Sequence, residues 1–111
     1  MNGIYALYFT GTSGSGFGVI ILKDGVMTGA DVTGGMFDGT YRVVGDEITG
    51  TFISLLPPGV TSVNGVLAGQ NGLRVEYPIR LPVNLGAGQA FTLPTPNGPV
   101  NVIVKKLRDL A

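Results

Sequence analysis

Residues 17–31 read FGVIILKDGVMTGAD, two apolar runs held apart by Lys23-Asp24-Gly25. Asp-Gly between such runs is the strongest short-range hairpin signal, because a two-residue turn that follows the twist of its strands needs positive φ at both central positions. Asp24 and Gly25 therefore read as structural, and the flanking runs as antiparallel neighbours. The same pattern extends outward. Gly45 in VGDEI (44–48) marks a second hairpin, and Asn-Gly at 71–72 and 97–98 marks two further turns. Apolar residues come in short runs, without helical spacing sustained over ten positions, and nineteen glycines and seven prolines interrupt any helix.

The chain is thus expected to be all-β, with strands near 3–10, 16–23, 26–32, 36–43, 47–56, 72–81, 87–93 and 99–107. The first five follow one another as an up-and-down meander. LLPPGVTSVNGVLAGQ (55–70) has adjacent prolines and no alternation, and reads as a long connection with or without a short helical turn. At 111 residues the chain forms one domain, residues 1–111, and about eight antiparallel strands of this size close into a small barrel.

Composition narrows the chemistry. Seven basic residues balance seven acidic ones, so nothing general attracts nucleic acid or an anionic membrane. KKLR (105–108) is a short cluster answered at once by Asp109, and reads as a solvated strand end. With neither cysteine nor histidine, the chain has no disulfide, no thiolate or imidazole ligand and no histidine base. No metal site and no cofactor is expected. The apolar runs are too short to cross a bilayer as helices, and no basic region precedes the first of them, so a cytoplasmic protein is expected.

The candidate sites resolve mostly into turns. GTSGSGFG (11–18) resembles a phosphate-cradling loop but lacks the Gly-Lys-Ser/Thr ending and leads into a strand, so it reads as a flexible hairpin connection. Ser13 and Ser15 have no base to activate them. Asp24, Asp31, Asp38, Asp46 and Glu47 fall within 24 residues, but Asp24 and Asp46 sit in turns, and the adjacent Asp46 and Glu47 point to opposite faces of a strand. Asp31 is read as accepting hydrogen bonds that close the barrel end, and Gly39 as admitting a kink. An enzyme is not expected.

In LRVEYPIRL (73–81) the apolar residues alternate with Arg74, Glu76, Pro78 and Arg80, giving one dry and one wet face. Val75, Tyr77 and Ile79 are therefore the candidate lining of any interior ligand site. Glycines at 18, 29, 34, 35, 39 and 50 permit curvature and leave space inside, although a barrel this small is expected to be filled by its own side chains. IYALYF (4–9) and VIIL (19–22) are apolar on both faces, which calls for cover on the outside as well. A homodimer supplies it, with Tyr5, Leu7 and Phe9 as the candidate contact.

Three stretches in order, NGIYALYF (2–9), GFGVIILKDGVMTGAD (16–31) and FDGTYRVVGDEITGTF (37–52), resemble GrlR-like proteins, a family of negative regulators of type III secretion gene expression. The resemblance covers residues 2 to about 52. It implies a dimeric, lipocalin-like β-barrel that is no enzyme, touches no DNA, and restrains a transcriptional activator by binding it. Those regulators carry an acidic run in the loop after the fourth strand. Here only Asp46 and Glu47 stand at the matching place, and they are the candidate partner-binding residues. The alternative function is a carrier of a small apolar, lipid-like ligand held inside the barrel.

Overall fold

In the computed structural model, which describes residues 1–110, Asp24 and Gly25 take φ of 51° and 83°. These are the paired positive values that a type I′ turn requires. The turn joins β2 (Ser15–Lys23) to β3 (Val26–Asp31), with Lys23 opposite Val26 and Gly18 opposite Asp31. The other strands are β1 (Gly3–Thr10), β4 (Met36–Val44), β5 (Glu47–Leu56), β6 (Leu73–Pro82), β7 (Ala87–Leu93) and β8 (Val100–Asp109). The expected all-β, antiparallel architecture is what forms, and each strand lies within two residues of its expected bounds. The connection between β5 and β6 consists of turns and two isolated bridges, Thr61 to Leu67 and Gly69 to Gly72, with no helical turn.

All eight strands belong to one sheet in the order β6-β5-β4-β3-β2-β1-β8-β7, curled into a half-barrel. Every sequential neighbour pairs except β6 with β7. The expected full closure by hydrogen bonds is therefore not reached, and a seam runs between these two strands. Both suit an edge: β6 carries Pro78 and Pro82, which have no N–H to donate, and the pairing of β7 with β8 slips between Ala87 and Ala90.

Alternation sets the two faces of the wall. Tyr5, Ile20, Leu22, Met27, Phe37, Ile48, Ile79, Val102 and Val104 are buried and form one inner cluster, joined by the half-buried Leu7, Phe9, Phe52, Tyr77 and Phe91. Inward glycines sharpen the curl. A Cβ at Gly50 would strike the Thr40 carbonyl oxygen, and one at Gly39 the Thr51 carbonyl oxygen, so adjacent backbones here approach more closely than any side chain allows. With Gly18 and Gly29 they trace a glycine corner across β2 to β5, the device by which a sheet of this width coils.

Strand direction defines two ends. The hairpin turns at 24–25, 45–46 and 83–86 lie at one end, where Leu85 is buried beside Tyr5 and Ile48. The segments 11–14, 32–35, 57–72 and 94–99 gather at the other. No helix of the described residues is long and apolar enough to cross a membrane.

Candidate ligand cavity

The curled sheet shapes a partly open cavity of about 230 Å³. The interior is therefore not filled by its own side chains, as the small size of the chain had led one to expect. The physical reason lies in the wall itself. Gly16, Gly18, Gly29, Gly39 and Gly50 stand at inward positions on four strands and contribute no side chain, and the Phe9 ring lies across the place where a Cβ of Gly16 would be.

Aromatic rings line one side. Phe9 meets Phe37 edge to face at 6.2 Å, Phe37 meets Phe52 at 5.5 Å, and Phe52 meets Tyr77 at 5.6 Å. Centroid spacings of this size are favourable for aromatic pairs. Burial alone pushes the Tyr77 hydroxyl up to about 12. Val75, Tyr77 and Ile79, chosen from the alternation of 73–81, all line the cavity. Phe37, Phe52, Phe91 and Val102 line it too and were not singled out; their signal was present, since Phe37 and Phe52 share the inward parity of Gly39 and Gly50.

Polar groups gather at the end opposite Leu85, where Ser15, Thr33, Thr61 and Asn64 border the cavity. The connection 57–72 folds over this end and is tied down on both sides. The Asn64 Oδ1 accepts from the Thr12 N–H at 3.1 Å, its Nδ2 donates to the Gly98 carbonyl at 3.1 Å, and the Ser13 N–H donates to the Val63 carbonyl at 2.8 Å. Nothing in the sequence distinguished Asn64 from other loop asparagines, because its role depends on two segments distant in the chain.

Asp31 sits at the same end. Its Oδ1 accepts from the Thr33 N–H at 2.9 Å, the Thr33 hydroxyl at 2.7 Å and the Gly35 N–H at 2.9 Å, which shapes the turn into β4. The other acids lie elsewhere. Asp24 is at the opposite end, bonded to Asn2 through both backbone and side chain at 3.0 Å, and Asp38 projects from the outer face of β4 opposite Thr28. Asp46 and Glu47 lie at the same end as Asp24. The Asp46 carbonyl accepts from the Val83 N–H at 3.0 Å, and Glu47 pairs with Arg80 at 3.2 Å. Among the described residues no group of acids could hold a metal ion.

Tyr5, Leu7 and Phe9 turn inward, with Tyr5 in the buried cluster and Leu7 and Phe9 on the cavity wall. They are thus not available as an outer contact, which corrects the face assigned from the sequence. In a run apolar on both sides, parity alone does not say which set faces out. The outward set is Ile4, Ala6 and Tyr8. Tyr8 (47% exposed) stacks on Phe17 (40%) at 5.2 Å, and Val19 (37%) and Ile103 (40%) continue this apolar outer patch across β8, β1 and β2.

No protein-family model matches the chain, and no curated protein matches it.

Proposed function

We propose that this protein binds a small apolar molecule inside its half-barrel and performs no chemistry on it. One observation carries the reading: an aromatic and aliphatic cavity of about 230 Å³, kept open by inward glycines, with most of its polar side chains gathered at one end. Apolar surface withdrawn from water into such a space is stabilised by about 25 cal/mol per Å². Catalysis finds no comparable support. The chain has no histidine or cysteine, and its acids are divided between the two ends and the outer wall, so no two of them share a reacting atom.

A second reading is a cytoplasmic regulatory protein that restrains a transcriptional activator, through Asp46, Glu47 and their surroundings, as a homodimer. The resemblance over residues 2 to about 52 favours it, and so does the exposed patch of Tyr8, Phe17, Val19 and Ile103, which a second copy of the chain would cover.

Native mass spectrometry of the protein purified gently from its own host separates the two. An apolar small molecule retained on the folded chain supports the carrier. A chain bare of small molecules but holding a second, different polypeptide overturns it in favour of the regulator.

A further inference from the structure

We infer that the cavity selects an uncharged, ring-sized ligand bearing one hydrogen-bonding group, which meets the Tyr77 hydroxyl, and that it refuses carboxylates. This deepens the carrier reading and rests on it.

Charge is the first constraint. No lysine or arginine lines the cavity, and its only ionisable borders are Asp31 and Tyr77. Three of the cations are engaged elsewhere: Lys106 by Asp109 and over the Tyr5 ring, Arg74 at 2.8 Å from Glu76, and Arg80 at 3.2 Å from Glu47. An anion held in this cavity would give up hydration, gain no counter-charge and share the lining with the Asp31 carboxylate, a transfer that interiors tolerate poorly.

Polarity and size are the second. Among the described residues nothing hydrogen-bonds the Tyr77 hydroxyl, although its ring is fixed against Phe52. Tyr77 lines the cavity and its unbonded hydroxyl is accessible, not sealed into the packing, so it can donate to and accept from a ligand group. An apolar cavity of about 150 Å³ takes benzene, so the present one suits roughly nine or ten non-hydrogen atoms. The arc of Phe9, Phe37, Phe52 and Tyr77 favours a flat ring among molecules of that size.

Three probes of matched size test this by calorimetric titration: propylbenzene, 4-propylphenol and 4-methylbenzoate, each against the full chain and its Tyr77→Phe variant. Propylbenzene measures the apolar cavity alone. The phenol should bind about two- to twelvefold tighter than propylbenzene, the range of one net hydrogen bond. That advantage should vanish in Tyr77→Phe while propylbenzene binds both proteins equally, which a merely destabilised variant would not do. The benzoate should bind at least about a hundredfold more weakly than the phenol at pH 7 and recover as it is protonated near pH 4. Propylbenzene binding with no phenol advantage, or an advantage that survives Tyr77→Phe, or benzoate binding as tightly at pH 7, overturns the selectivity and leaves the carrier standing. Failure of all three probes overturns both.

Discussion

Substituting Gly50 by alanine tests whether the glycine corner holds the cavity open. The new Cβ would strike the Thr40 carbonyl oxygen and lie 2.8 Å from the Tyr41 Cα and 3.0 Å from the Thr40 carbonyl carbon. All three are backbone atoms of the neighbouring strand, so no side chain can swing aside and β4 must move. Overpacking costs about 1–3 kcal/mol, and the rigid neighbour puts this site at the upper end. Alanine restricts the unfolded chain, which returns about 0.4–1 kcal/mol and leaves a net loss of about 2–2.5 kcal/mol. At about 2.1 cal/mol/K per residue, the unfolding entropy of this chain is about 0.23 kcal/mol/K, so Tm should fall by about 10 °C. Calorimetry of Gly50→Ala beside Gly14→Ala provides the assay, because a Cβ at Gly14 meets nothing within 4 Å. Gly14→Ala should hold or slightly raise Tm. A Gly50→Ala protein melting within about 1 °C of the parent would refute the close backbone approach and with it the origin of the cavity.

Three further predictions follow from named contacts. Alkaline unfolding should depend on Tyr77: its folded pKa of about 12 stands above the unfolded 10.0, so its contribution is whole below pH 10 and is lost as pH rises through about 12. Tyr77→Phe should therefore reduce the fall in unfolding free energy between pH 10 and 12 by up to about 2.7 kcal/mol, at about 1.36 kcal/mol per pH unit, read from urea unfolding at each pH, and an unchanged slope would contradict it. Asp31→Ala removes three hydrogen bonds to Thr33 and Gly35 and should cost about 1–2 kcal/mol in urea unfolding, with faster exchange of the Gly35 amide. Asn64→Ala should release the connection 57–72, seen as faster hydrogen exchange at the Thr12 and Ser13 amides, while amides of β1 and β2 keep their protection.

Local signals made most of the wall legible. Asp24-Gly25 and Gly45 specified their turns because positive φ is a property of the residue itself, and alternation in 73–81 assigned Val75, Tyr77 and Ile79 to the inside. Two kinds of feature were not legible. Strands apolar on both faces carry no parity signal, so Tyr5, Leu7 and Phe9 were set outside when they belong to the interior. The open interior, the seam between β6 and β7 and the double tie at Asn64 all depend on which distant segments meet, and single-residue chemistry does not encode that. The glycines were recognised as leaving space. What was missing was that four of them lie on adjacent strands with the same inward parity, so that the space is continuous.

Crystals of the protein pressurised with xenon test the central claim most directly, because an apolar cavity takes up this atom without any chemical recognition. Xenon between Phe37, Phe52, Tyr77 and Ile79 is the predicted result. An interior with no xenon, its rings collapsed onto the inward glycines, would contradict the cavity and the ligand-binding function built on it.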